Sequence, residues 1–178
     1  MIGELKVKEL ELNRIREIEK AVNNIDKRFF VYDSINKKHI LNIDFNYPAS
    51  VSNINSISDP KNIKSKQQLI NEFVQAGFEI KKLVQKFPDI ENIKYLLVVE
   101  GQASKDGAAV NDDLSFHRAQ SLIELWKSRN VGLDNLKNCE IVIAGSGERG
   151  IPRIEPDIPP SNQRFLITII PKIGEMKK

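Results

Sequence analysis

The chain has 178 residues, 40% of them apolar and 29% charged, which is enough for one globular domain with a sizeable core plus an accessory segment. Its 27 basic and 24 acidic side chains leave a formal net charge of +3, with no dense Lys/Arg block interleaved with aromatics, so a solvated surface is expected rather than a nucleic-acid footprint. Cys139 is the only cysteine, which excludes an internal disulfide and a cysteine-rich metal site.

Residues Ile2 to Asp26 lack proline and place Leu5, Leu12, Ile15, Ile18, Val22 and Ile25 at helical spacing, predicting an amphipathic helix. Ile15, Ile18, Val22 and Ile25 fit a coiled-coil seam, but Lys8 and Glu11 break it one heptad earlier. Two readings stay open: a helix lying on its own domain, or a dimer seam. Phe29 to Tyr32 and His39 to Phe45 then predict two short strands joined by the polar turn 34–38. Leu41, Ile43 and Phe45 share one strand face, and His39 is expected to be an exposed strand-end residue rather than a ligand.

Asn46 to Ser65 is rich in Asn, Ser and Pro and reads as a long surface connection, with a turn at Asp59-Pro60 and Ser65 as the N-cap of the next helix. That helix, Lys66 to Lys86, carries Leu69, Phe73, Gly77, Ile80 and Val84 on its core side and must stop at Pro88. Gly77 costs about 1 kcal/mol relative to Ala, so close packing against the sheet is its expected reason.

A strand from Tyr95 to Val99 ends at Gly101, a polar loop is closed by Gly107, and a helix begins near Asn111 or Asp112. This helix aligns Ser115, Ala119, Leu122, Ile123 and Trp126 on one side, and Trp126 is read as core. Glu140 to Ala144 is the next strand, with Cys139 a small buried residue at its start. Gly145-Ser146-Gly147-Glu148-Arg149-Gly150 matches the form of a dinucleotide fingerprint, but that site needs a helix directly after the glycines. Pro152, Pro156, Pro159 and Pro160 argue against one, so a turn and an extended loop are expected. The last strand is Arg164 to Ile170, closed by Pro171, and Gly174 to Lys178 is read as a frayed tail. The element order predicts an α+β sandwich, with helices on one face of a mixed sheet.

Four ordered blocks carry a family resemblance. Gly101-Gln102-Ala103-Ser104-Lys105-Asp106-Gly107, followed by Asn111-x-x-Leu114-Ser115-x-x-Arg118-Ala119, resembles the pattern G-H-T-D-x-x-G and N-x-x-L-S-x-x-R-A of the OmpA-like C-terminal domain. That domain is shared by outer-membrane protein A, the peptidoglycan-associated lipoprotein and MotB-type stator subunits. Gly145-Ser146-Gly147-Glu148, Pro152 and Asn162-Gln163-Arg164-Phe165 are similar to its G-x-G-E, P and N-R-R-V elements, so the resemblance covers roughly His39 to Lys172.

The resemblance implies a β-α-β-α-β-β sandwich over residues 29–172, preceded by a helical connector, 1–28, and followed by the tail 173–178. It further implies a non-enzymatic domain that anchors a membrane-tethered protein to the cell wall by non-covalent peptidoglycan binding, in a setting like that of a stator. The alternative is a structural or assembly module of the same fold that has lost this binding. In the family, the Asp of G-H-T-D and the Arg of L-S-x-x-R-A hold the ammonium and carboxylate of diaminopimelate in the stem peptide. Arg118 stands at the Arg position, and a guanidinium fork suits a carboxylate. Ser104 stands at the Asp position, so that charge is missing, and Asp106 is the candidate substitute.

Arg164 and Asn111 complete the candidate ligand set, with open alternatives for each: a sheet-edge cap for Arg164, a helix cap for Asn111, and for Arg118 a surface ion pair with Asp106, Asp112 or Asp113. His117 reads as solvated, and no carboxylate pair, metal spacing or nucleophile motif supports catalysis, a metal or a cofactor. The expected partners are the peptidoglycan stem peptide and a membrane-protein partner or homodimer, with no nucleic acid. No stretch approaches the ~20 apolar residues that cross a bilayer, and the first six residues lack the core of a signal peptide. Because the resemblance implies a domain that works in the periplasm, a periplasm-facing piece downstream of an anchor is the expectation, with a cytoplasmic protein as the alternative.

Overall fold

The computed structural model describes residues 2–87, 93–158 and 160–173. Pro88, Pro159 and the tail Gly174 to Lys178 lie outside the described residues. Three helices, α1 (Ile2–Asn23), α2 (Lys66–Val84) and α3 (Asn111–Ser128), accompany five strands: β1 (Phe30–Asp33), β2 (Lys38–Leu41), β3 (Ile93–Gly101), β4 (Cys139–Gly145) and β5 (Phe165–Ile173). The strand order is β1-β2-β5-β3-β4, with β3 parallel to β4 and the other pairs antiparallel. This is the expected α+β class, a mixed sheet with helices on one side.

Register explains which side. His39 is opposite Ile167, Val99 is also opposite Ile167, and Gly101 is opposite Phe165, so these residues share one sheet face. On that face His39 bonds α1 through the Val22 carbonyl, Phe165 meets Phe73 of α2 edge-on, and Gly101 abuts the backbone of α3 at Ser115. Ile18, Val22 and Ile25 join the same apolar core as Phe73, Leu97, Ile167 and Trp126. The C-terminal half of α1 thus lies on its own domain, while Leu5 and Leu12 of its N-terminal half are exposed.

Local chemistry sets the helix positions. Ser65 caps α2 reciprocally with Gln68, its side chain accepting from the Gln68 N–H and its own N–H reaching Gln68 Oε1. Asp59 collects the N–H groups of Lys61, Ile63 and Lys64, which forms the turn ahead of that cap. Gly77 does have a packing reason, but the partner is α3 and not the sheet: a Cβ there would lie 2.7 Å from Trp126 Nε1. The indole is core, as its spacing suggested, and donates to the Phe73 carbonyl at 2.8 Å.

Four expectations are corrected. His39 is buried, not exposed, because α1 covers it; its Nε2 lies 2.9 Å from the Val22 carbonyl and its ring packs on Tyr32. The segment from Asn46 to Ser58 is no free surface loop: Tyr47, Ile54 and Ile57 are buried, a bridge joins Asn46 to Ser58, and a short 3-10 turn, Ile54–Ser56, donates through the Ile54 N–H to Ser121 Oγ on α3. Pro171 does not end β5, which continues to Ile173; β2 pairs only with Leu166 and Ile167, so Pro171 falls where one side of β5 has no strand partner. Cys139 starts β4 as expected but is only half-buried, and burial pushes its thiol up to about 11.

Candidate functional site

Asn111, Ser115 and Arg118 are four and three residues apart and so share one face of α3, where all three are buried. Three segments meet that face: the loop after β3, the loop after β4, and the strap from Asn46 to Ser58. Two glycines let the helix come close. A methyl on Gly145 would sit 2.5 Å from the Phe116 nitrogen, and one on Gly101 would run into the Ser115 carbonyl. Ser115 then accepts from the Gly147 N–H at 2.9 Å, tying the second loop to the helix.

Arg118 is 3% exposed. Its Nε donates to the Val51 carbonyl at 3.1 Å, and its guanidinium carbon lies 4.2 Å from the centre of the Tyr47 ring. The ion pairs considered from sequence do not form among the described residues: Asp112 pairs instead with Arg149 at 2.6 Å, and Asp106 is turned toward Asn111. Burial pulls the Arg118 guanidinium below its ordinary value, with Tyr47 and Asp106 opposing the shift. The same burial raises the Tyr47 phenol well above its usual range, and its hydroxyl has no hydrogen-bond partner among the described residues.

Ser104 is 5% exposed, and its Oγ also has no partner among the described residues. A buried unpaired hydroxyl is costly, so it is a donor and acceptor free for another group. Its backbone carbonyl accepts from Asn111 Nδ2 at 3.3 Å and from the Asp106 N–H at 3.2 Å. Asn111 does not cap α3; Val110 takes the cap position without a side-chain bond, and Asn111 faces the loops. Its amide reaches Asp106 Oδ1 at 2.7 Å and Glu148 Oε1 at 2.6 Å, and Glu148 also collects the N–H groups of Asp106 and Gly107. Bonds from Asn111 and the Ala108 N–H hold the Asp106 carboxyl below its usual range.

Arg164 stands apart from this face. Its Nε donates to Gln102 Oε1 at 3.0 Å and its Nη2 to the Pro152 carbonyl at 2.6 Å, so it ties the start of the site loop to the segment after β4. Burial and the neighbouring Arg153 lower it, with Asp157 and Asp33 opposing. Ser104, Asp106 and Asn111 therefore gather at the N-terminal end of α3, Arg118 lies about two turns further along the same helix face, and Arg164 ties the start of the loop from just before β5. His117 is exposed, as expected.

Sequence reasoning passed over Tyr47, Val51, Arg153 and Asp157, and named Glu148 only within the G-x-G-E block and not as a site residue. Tyr47 had a signal, a lone ring in a polar stretch; Arg153 and Asp157 had another, opposite charges four apart in a proline-rich loop. No helix follows Gly145-Ser146-Gly147 among the described residues, in keeping with a turn and an extended loop. Nor do the described residues bring three His, Cys, Asp or Glu side chains together as a metal site, or contain a helix long and apolar enough to cross a membrane.

No protein-family model matches the chain, and no curated protein does. In fold it is similar to OmpA-like domains, to a peptidoglycan-associated lipoprotein and to MotB periplasmic domains. The periplasmic domain of MotB from Helicobacter pylori shares 18% identity over 82% of each chain, with a TM-score of 0.48. The OmpA-like domain of FopA1 from Francisella tularensis subsp. tularensis SCHU S4 shares 19% identity over 80% of this chain and 77% of that one, at 0.41. The peptidoglycan-associated lipoprotein from Burkholderia pseudomallei shares 13% over 73% and 88%, at 0.42. At this distance the functional reading rests on the side chains themselves.

Proposed function

We propose that this is a non-enzymatic anchoring domain that holds peptidoglycan non-covalently, with Arg118 as the group that takes a stem-peptide carboxylate. The observation that supports it is a guanidinium 3% exposed whose single hydrogen bond among the described residues goes to a neutral carbonyl. A buried cation normally has an anionic partner, and here that partner is left for a ligand. Ser104 Oγ supplies a second unused donor, and Asp106 with Glu148 supplies negative charge for an ammonium group. In this reading the first 28 residues connect the domain to a membrane-tethered partner, and the domain faces the periplasm. The exposed N-terminal half of α1 supports a connector role.

A second reading is favoured by the strap. Val51 and Tyr47 already occupy one edge and one face of the Arg118 guanidinium, which suits an assembly module that keeps the arginine as a structural tie. Calorimetric titration with a soluble diaminopimelate-containing muropeptide separates the two. Saturable binding by the parent chain that is lost in Arg118→Ala, with the variant still folded, supports anchoring. Absence of binding by the folded parent chain overturns it in favour of the assembly module.

A further inference from the structure

We infer that Arg153 and Asp157 form a positioning device for Ser104, holding the site loop from both sides in the shape the ligand would meet. The two side chains pair within the loop after β4, 8% and 5% exposed. Arg153 Nη2 donates to the Ala103 carbonyl at 2.8 Å, one residue before Ser104. Asp157 Oδ2 accepts from the Lys105 N–H at 3.1 Å, one residue after it. The pair therefore brackets a residue whose buried hydroxyl is unpartnered among the described residues, as are those of Tyr47 and Tyr95. Arg153 Nη1 also reaches the Gly147 carbonyl at 3.4 Å, the same carbonyl that accepts from the Ala103 N–H, so the two loops are locked through one oxygen.

The bracket itself is held. Asn162, fully buried, accepts from the Ile154 N–H at 2.9 Å and donates to the Ile154 carbonyl at 3.0 Å, fixing the segment that carries both charges. Burial disfavours the charged carboxyl of Asp157, but the Arg153 guanidinium and the Lys105 N–H oppose it, and the group is held below its usual range. A lone surface ion pair contributes little; a buried one that also bonds the two backbone groups flanking Ser104 ties that loop to one geometry. The effect on a ligand rests on the anchoring reading above, whereas the effect on the loop does not.

The test uses the full chain carrying Arg153→Met and Asp157→Leu together, so that neither charge is left buried alone. Residue-resolved hydrogen exchange is read at Lys105 and across β3, beside muropeptide affinity. Exchange at Lys105 is expected to accelerate at least tenfold while β3 stays protected, with affinity falling at least tenfold. Parent-like exchange at Lys105 in the folded double variant overturns the inference, as does a loss of protection spread evenly over the sheet, which would mean a general structural role. Should the double variant not fold, Asp157→Asn is read instead. Its neutral amide accepts the Lys105 N–H more weakly, so a several-fold faster exchange there is expected and parent-like exchange overturns the idea. If the parent chain binds no muropeptide, the anchoring reading fails and Lys105 exchange alone decides this one.

Discussion

Arg118 and Arg153 are both withdrawn from water, yet their surroundings differ in kind. Arg153 has a carboxylate and two backbone carbonyls around its guanidinium; Arg118 has one carbonyl, one aromatic face and no carboxylate within ion-pair distance among the described residues. The first has its anionic partner and turns its bonds toward holding a loop, although Arg153 Nε and Asp157 Oδ1 have no partner among the described residues. The second is unfinished, and an unfinished buried charge is where a ligand gains most from binding. In the proposed anchoring reading, two residues of the same type divide the work of one site: one fixes its shape, the other offers its charge.

The largest expected effect comes from breaking the buried ion pair. Asp157→Ala leaves Arg153 buried and unpaired and is expected to cost about 3–5 kcal/mol in urea unfolding. Arg118→Met should stay within about 1 kcal/mol of the parent, because lost cation–π and hydrogen-bond contacts are offset by no longer desolvating a charge. A loss as large as that of Asp157→Ala would make Arg118 structural and end the contrast.

Next in size is Gly101→Ala, whose methyl would meet the Ser115 carbonyl. Overpacking of this kind costs up to about 3 kcal/mol, and here it pushes α3 away from the loop. Thermal unfolding should show the loss, and ligand affinity should fall with it, since Asn111, Ser115 and Arg118 move as one helix face.

Much of this arrangement was legible from the sequence, and the part that was not has a common cause. The strands, the Ser65 cap, the core role of Trp126 and the loop-then-helix stretch from Gly101 to Arg118 follow from local periodicity and turn chemistry, which neighbours in sequence determine. His39, the strap and the Arg153–Asp157 bracket depend on partners far along the chain. His39 is buried by Val22, Arg118 is covered by Val51, and Asp157 reaches Lys105. A polar stretch such as Asn46 to Ser58 looks solvated until Tyr47, Ile54 and Ile57 are seen to have a core to enter. Candidate residues can be named from a motif; whether their charges are already satisfied cannot.

The strap offers a sharper division between the two functional readings. Ser121→Ala removes the hydroxyl that accepts the buried Ile54 N–H, at a cost of about 1–3 kcal/mol concentrated in that segment. Hydrogen exchange should rise between Tyr47 and Ile57 while the sheet stays protected. If Arg118 serves a ligand, loosening its cover should raise muropeptide affinity several-fold. If the strap permanently completes the fold, exchange rises and no binding appears.

The smallest effect concerns a third buried base, which avoids the problem by staying neutral. Burial lowers the pKa of His39 from its ordinary 6.5, with the bond to the Val22 carbonyl opposing the shift, and its Nδ1 has no partner among the described residues to receive a second proton's bond. The unfolded chain therefore binds a proton at higher pH than the folded one. The stabilising contribution of neutral His39 is complete above the unfolded value and is lost progressively as pH falls toward the lower folded value. Stability measured between about pH 7.5 and 5 should decline with acidification, and the decline should shrink in His39→Gln. Because His39 holds the last turns of α1 through Val22, hydrogen exchange in α1 should rise before exchange at Lys105 does. Simultaneous loosening of both would mean that the helix and the site loop open as one unit, and that the bracket around Ser104 is not independent of the face α1 covers.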